Sequence, residues 1–242
     1  MSDKNNRLSE TVAVVRSYNN KGVLDQVNNL IKFIPHVIVV VDEAKDNGVT
    51  KNAFLNFKYQ EKVTVLYMQT GYTWSNALNK ALEKIDVLNS VGIDYRINYM
   101  FNVSVEAGFE RSHLIQMLES FDDETVVVGT TFEGYQEGRV VSLGRSYDKP
   151  RNTGMVVNLS CFNEGDLWIR WFDTFCDNIE GMEDFDFCIR AWIFKRLRTK
   201  ILDLKVPLTV GVHYNQISKE RNSQKAIQLI EARFLFWADG IK

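Results

Sequence analysis

Alternation between β-branched runs and segments of helical periodicity is what most narrows the folds open to this chain. Thr11-Val12-Ala13-Val14-Val15 reads as a strand, and residues 23–33 read as a helix whose Val23, Val27, Leu30, Ile31 and Ile34 share one face. Pro35 ends that helix. Residues 37–41 are a second strand closing on Asp42-Glu43, and Val63–Met68 a third. Residues 75–85 form a helix with Ala77, Leu78, Ala81, Leu82 and Ile85 inward, and residues 95–105 a fourth strand. Strands alternating with helices imply βαβ units with right-handed crossovers: an α/β fold with a mainly parallel central sheet flanked by helices. Ligands of such sheets bind at the carboxyl ends of the strands. The residues expected on that rim are Arg16, Ser17 and Tyr18, then Asp42 and Glu43, then residues 70–74, then residues 102–106. Each group is polar or aromatic directly after an apolar strand.

The second half is less regular. A helix is expected over 112–120, a strand over 125–130, a hairpin or insertion over 132–145 and a short strand over 153–159. The aromatic run Leu167-Trp168-Ile169-Arg170-Trp171-Phe172 precedes Gly181-Met182-Glu183-Asp184-Phe185-Asp186-Phe187-Cys188-Ile189-Arg190. Glu183 and Asp184 at the start of an apolar helix are stabilised as anions by its unpaired N–H groups and positive pole. Asp186 and Arg190 stand at i and i+4, so they pair on one face, and a capped amphipathic helix with that ion pair is the plain structural alternative to a functional site. A late strand over 206–212 leads to His213 and Tyr214. A final helix over 224–237 repeats Ile227, Ile230, Phe234 and Trp237 on one side.

Charge and composition exclude several classes. The chain carries 29 basic and 31 acidic residues, a formal −2, so no overall field draws it to nucleic acid or an anionic membrane. The apolar run 37–41 is far too short to span a bilayer. Residues 1–10 are polar and lack a signal peptide's apolar core, so a flexible lead-in and no export are expected. Cys161, Cys176 and Cys188 are odd in number and form no CxxC pair, which suits free thiols and a cytoplasmic protein. Without repeats, low-complexity tracts or linkers, residues 11–242 are expected to form one domain.

Four segments give the chain a resemblance to nucleotide-sugar-binding glycosyltransferases of the GT-A fold, in particular the family-2-like group, from about Thr11 to His213. They are residues 12–19, the first strand and its end, residues 37–42, Gly71-Tyr72-Thr73-Trp74-Ser75-Asn76-Ala77-Leu78-Asn79, and the glycine-acid-acid helix start at 181–190. The resemblance implies a single Rossmann-like domain with a nucleotide-binding half at 11–106, an acceptor and catalytic half at 107–215, and a C-terminal helix at 216–242. It implies sugar transfer from a nucleoside diphosphate sugar, such as a UDP-sugar, to an acceptor hydroxyl on a glycan, a lipid-linked or a small molecule, with inversion. Asp184 is then the base, with Glu183 second to it. Arg16, Tyr18 and Asp42 contact the nucleotide, Asn79, Asn102 and Ser104 the ribose or diphosphate, and His213 the diphosphate or its metal. Trp74, Trp168 and Trp171 offer flat faces for a sugar ring.

At one place the chain departs from that pattern. Where the family presents Asp-x-Asp to hold a divalent cation, this chain has Asn102-Val103-Ser104. Mg²⁺ and Mn²⁺ are hard cations best matched by anionic oxygens, and Asn102 and Ser104 offer neutral ones. Residues 102, 104 and 106 share a face if the strand continues, so Glu106 can supply the charge. Otherwise the diphosphate is balanced without metal by cations, for which Arg16, Arg145, Lys149 and Arg151 are candidates. Two further functions compete with transfer. One is a catalytically inactive sugar-nucleotide or glycan binding protein or partner subunit derived from such an enzyme. The other is a nucleotidyltransferase using the faintly glycine-basic loop 16–22.

Overall fold

The computed structural model describes residues 4–17, 22–55, 57–70, 72–91, 96–133, 139–142, 145–148, 154–172, 183–208, 228–229 and 232. In chain order, α1 (Lys4–Ser9) leads into β1 (Thr11–Ser17), α2 (Val23–Leu30) and β2 (His36–Asp42). Two short helices, α3 (Glu43–Asp46) and α4 (Val49–Phe54), precede β3 (Val63–Met68), and α5 (Trp74–Ser90) connects to β4 (Tyr99–Val103). Then come α6 (Arg111–Glu119), β5 (Thr125–Phe132), the antiparallel pair β6 (Arg139–Ser142) and β7 (Arg145–Asp148), and β8 (Gly154–Asn158). The chain continues through α7 (Leu167–Arg170) and α8 (Glu183–Lys195) to β9 (Arg198–Val206).

Seven strands form one sheet in the order β3-β2-β1-β4-β8-β5-β9. All neighbours run parallel except β8, which is antiparallel to both β4 and β5. The expected mainly parallel α/β sheet is therefore present. β1 lies near its middle with all seven residues buried, as a parallel strand covered on both faces must be, and that explains its unbroken apolar character. On one side of the sheet, Ala13, Val15, Val37 and Val39 pack with α2 and α6 through Val27, Leu30, Leu114 and Met117. On the other, Val12, Val14, Ile38, Val40 and Met100 pack with α5 and α8 through Leu78, Leu82, Phe187 and Ala191. Within the lead-in, α1 is fastened by Arg7, whose guanidinium donates to the carbonyls of Leu118 and Phe121 at 2.6 and 3.3 Å. Among the described residues no helix is long and apolar enough to cross a membrane.

β9 at residues 198–206 was not expected: it is an edge strand of the sheet and carries Arg198, Lys200, Asp203 and Lys205, half-exposed. A search for apolar runs passes over such a strand. Residues 209–212, with His213 and Tyr214, lie outside the described residues. So does the predicted C-terminal helix, except for Gln228, Leu229 and Ala232, which are helical. The expected insertion at 132–145 corresponds to the β6–β7 hairpin, shifted towards 139–148.

The acid-rich helix forms as the spacing suggests and carries a longer-range role. Arg190 Nε donates to Asp186 at 2.7 Å, with both side chains almost wholly buried. The rest of the guanidinium donates to the carbonyls of Trp168 and Ile169 at 2.7 and 2.9 Å and of Trp171 at 2.7 Å. These carbonyls at the end of α7 have no partners within a helix that short, so Arg190 serves as its cap. Replacing Arg190 by Ala removes the ion pair of the buried Asp186 and the donors to three carbonyls, and denaturant unfolding is expected to register a loss of about 3–5 kcal/mol. Asp186→Leu combined with Arg190→Met is expected to recover only part of that loss, because the three carbonyls stay unsatisfied.

Gly154 opens β8 opposite Val103. A Cβ there would meet the Phe109 ring at 2.4 and 2.6 Å and the Phe132 ring at 3.0 Å, so only hydrogen fits. Gly154→Ala is expected to cost about 1–3 kcal/mol through overpacking, read as a lowered denaturation midpoint.

Candidate functional site

Side-chain alternation decides which rim residues meet. Along β1, Val12 and Val14 belong to the face covered by α5 and α8, so Arg16, two residues on, emerges on that face. The same parity takes Ile38 and Val40 on β2 to Asp42, and Met100 on β4 to Asn102. Strand register staggers the three: Val14 pairs with both Ile38 and Asn102, and Arg16 with Val40, so Asn102 lies two residues below Arg16 and Asp42 two residues above it. Arg16, Asp42 and Asn102 thus lie on one face, stepped towards the carboxyl ends of three adjacent strands.

Two helices of the covering layer begin at the same rim. α5 follows the carboxyl end of β3, and Thr73 caps it by accepting from Asn76 N–H at 3.2 Å. The direction of α8 follows from its connection. Only Arg196 and Leu197 separate it from β9, which runs parallel to β5 and so begins at the opposite edge of the sheet. Arg198 N–H bonds the Glu124 carbonyl beside the start of β5, which confirms that edge. Thirteen residues of helix rise about 20 Å, the depth of the sheet, and return the start of α8 to the carboxyl rim. Asp184, its second residue, therefore points its charge into the rim's half of the molecule, held by Phe185 N–H at 2.7 Å and by the positive pole of the helix. The side chain of Glu183 lies outside the described residues, as does Tyr18.

Charge burial marks this corner. Arg16 is 6% exposed, Asp42 4%, Asp184 5% and Asn102 0%. Charged groups are almost never this buried unless their surroundings compensate them. The Arg16 guanidinium stacks on the ring of Trp74, 3.8 Å from its centroid, while that indole remains 40% exposed and forms the outer wall. Lys45 approaches Asp42 at 3.5 Å from solvent.

Other predicted site residues have different partners. The Asn79 carboxamide donates to the Phe172 carbonyl and accepts from the Phe172 N–H, each at 2.8 Å, so both of its ends fasten the chain between α7 and α8 to α5. Ser104 Oγ donates to Glu106 at 2.6 Å just past β4 and accepts from the Glu106 N–H at 3.2 Å. Trp168 packs edge-on against Phe194, centroids 4.6 Å apart, towards the far end of α8 from Asp184. His213, Lys149 and Arg151 lie outside the described residues, as does the side chain of Arg145.

On the opposite face of β1, Ser17 lies 3.3 Å from Thr50, and Thr50 bonds Asp46 through its hydroxyl and through its N–H at 2.9 and 3.1 Å. All three side chains are buried, and sequence reading did not find this cluster. Its signal was the spacing Asp46-x-x-x-Thr50 across Gly48, an acid capping the helix that follows a left-handed glycine at φ +76°. As a carboxylate accepting from the first turn of α4, Asp46 ties that helix to the end of β1.

The residues fit a divalent cation poorly. Of the set Asn102, Ser104 and Glu106, only Glu106 is anionic, and its carboxylate already accepts the Ser104 hydroxyl. Among the described residues no three His, Cys, Asp or Glu side chains cluster as a metal site. Among the described residues Arg16 is a buried cation that the fold delivers to the rim.

No protein-family profile matches the chain, and no curated protein matches it. Its backbone is similar to that of 4-diphosphocytidyl-2C-methyl-D-erythritol synthase from Anaerococcus prevotii DSM 20548, with a TM-score of 0.50 and 9% identity over 93% of this chain and 99% of that one. A Bacillus anthracis protein provisionally assigned as a glucose-1-phosphate thymidylyltransferase, solved with sucrose, gives a TM-score of 0.48 and 10% identity over 91% and 94%. At such identities the likeness is one of fold: a Rossmann-like α/β domain with a mostly parallel seven-stranded sheet.

Proposed function

We propose that the chain is a glycosyltransferase that moves a sugar from a nucleoside diphosphate sugar to an acceptor hydroxyl. The observation that carries this reading is the burial of a cation, Arg16, two carboxylates, Asp42 and Asp184, and a carboxamide, Asn102, in strands and a helix start that lead to the carboxyl rim. Asp42 accepts hydrogen bonds from the nucleotide base, with Tyr18 alongside, and Arg16 balances the diphosphate, with Asn102 nearby. Asp184 takes the proton of the acceptor hydroxyl while its oxygen attacks the anomeric carbon. The bond from that carbon to the β-phosphate oxygen breaks, and the nucleoside diphosphate leaves with the electron pair. The family resemblance assigns Glu183 as second to Asp184 in the role of base, and His213 to the diphosphate. Because the Asn102–Ser104–Glu106 oxygens match a hard cation poorly, charge neutralisation is assigned to Arg16 and no step runs through Mn²⁺ or Mg²⁺. The acceptor is a glycan, a lipid-linked or a small molecule, and the odd number of cysteines, Cys161, Cys176 and Cys188, supports work in the cytoplasm.

The neutral Asn102-Val103-Ser104 supports a second reading, a sugar-nucleotide binding protein that has lost transfer. The fold likeness to a diphosphocytidyl-methylerythritol synthase supports a third, nucleotidyl transfer, in which nucleotide sugar is the product and not the substrate.

Calorimetric titration with UDP, GDP and their sugar conjugates, with and without Mn²⁺, is expected to find one nucleotide sugar bound with little metal dependence. Arg16→Gln is expected to weaken that binding about 10- to 100-fold, the worth of a charge-assisted contact. Asp184→Asn is expected to leave binding intact and slow release of nucleoside diphosphate about 10²- to 10⁴-fold. Binding without turnover in the unmodified protein selects the inactive binder. Formation of nucleotide sugar with pyrophosphate from a nucleoside triphosphate selects nucleotidyl transfer.

A further inference from the structure

The two edges of the sheet are built differently. β9 carries Arg198, Lys200, Asp203 and Lys205 and shifts register twice against β5, with Lys205 at φ +50°. Charge and irregularity are what keep an edge strand from pairing with another chain. β3, at the other edge, has neither. Val63-Thr64-Val65-Leu66-Tyr67-Met68 contains no charge and no proline, and it keeps an unbroken six-residue register with β2. Among the described residues no strand pairs with its outer side. Along that side runs a groove of about 370 Å³, floored by Val63, Val65 and Tyr67 and walled by Phe54, Leu55 and Phe57. Leu55 is 60% exposed there and Tyr67 38%.

Charge along this edge is polarised. At the start of β3, the ammonium groups of Lys58 and Lys62 lie 5.4 and 5.9 Å from the Tyr59 ring, two cations against the single exposed acid Glu61, and Lys51 lines the groove. At its end, Asp46 and Glu43 act on Tyr67, whose phenol ionisation is suppressed first by burial and then by those two carboxylates. Lys45, the cation at that end, is engaged with Asp42. Antiparallel pairing with an identical strand sets the basic start of each copy against the acidic end of the other.

We propose that the outer edge of β3 is a homodimer interface, where β3 pairs antiparallel with β3 of a second copy across a two-fold axis and joins the two sheets. With Val65 opposite the partner's Val65, Val63 stands opposite the partner's Tyr67, so the groove residues of both strands share one face. The partner's Tyr67 then covers the groove at Val63, and Lys62 meets the partner's Glu43.

Sedimentation equilibrium of the full chain from about 1 to 200 μM is expected to give twice the chain mass of 28.0 kDa. Tyr67→Asp and Leu55→Lys, both at exposed positions, are each expected to weaken the dimer about tenfold or more, with circular dichroism and melting temperature unchanged. Lys62→Glu is expected to weaken it about fivefold, Glu43→Lys likewise, and the double variant to return within about twofold of the unmodified chain. Val65→Cys is expected to form an intersubunit disulfide on oxidation. A chain that stays at monomer mass throughout, or a dimer that tolerates both Tyr67→Asp and Leu55→Lys, overturns the proposal.

Discussion

Everything in this fold is referred to β1. It is buried along its whole length between β2 and β4, and the two halves of the hydrophobic core lie on its two faces. A strand with no exposed side has nowhere to put a polar residue except at its end. Arg16 and Ser17 are therefore forced to the carboxyl rim, one to each face, where each meets its own polar surroundings: Trp74 for Arg16, Thr50 and Asp46 for Ser17. The position of the candidate site is a consequence of the central strand's burial, before any chemistry is considered.

A second constraint sets the height of Asp184. α8 is aligned by its two-residue link to β9 and pinned midway by Arg190, which spends its guanidinium on Asp186 and three carbonyls of the α7 region. A buried ion pair by itself adds little net stability, because desolvation offsets most of the attraction. Its larger effect here is geometric: a planar donor fork satisfied on all sides admits one orientation of helix against loop. Asn79 fastens the same loop from α5 through Phe172, so the two helices that open on the rim are locked to one another at a distance from it.

The parts of this arrangement that were legible in the sequence are those governed by local pattern. β1, β2 and β3 are continuous β-branched runs because both faces or one face and an edge are apolar, and α2, α5 and α6 carry their periodicity plainly. The Asp186–Arg190 pair is readable at i, i+4. What was not legible depends on distant partners. Nothing near Asn79 announces Phe172, 93 residues away, and nothing near Arg190 announces the carbonyls of α7. β9 was missed because an edge strand satisfies its backbone on one side while its side chains remain half in water, which removes the apolar signal. α3 and α4 escaped notice because helices of four and six residues owe their existence to a cap, Asp46 on Thr50, and not to a stripe.

The substitution of neutral oxygens at Asn102 and Ser104 changes the electrostatics of the rim in a definite direction. Two carboxylates in those places would add negative charge beside Asp42 and Asp184, and only a cation between them would make that arrangement tolerable in a site this dry. With Asn102 and Ser104 the rim needs no such cation for its own stability. Among the described residues its buried charges include Arg16, Asp42, Asp46 and Asp184; Asp184 lies at the positive end of a helix, Asp42 near Lys45, and Asp46 is bonded to Thr50. Arg16 is held at this rim against the Trp74 ring, where the proposed diphosphate lies. A guanidinium delivers less charge than a divalent ion, but it is fixed in place by the strand that carries it and needs no reorganisation as charge develops on the leaving group.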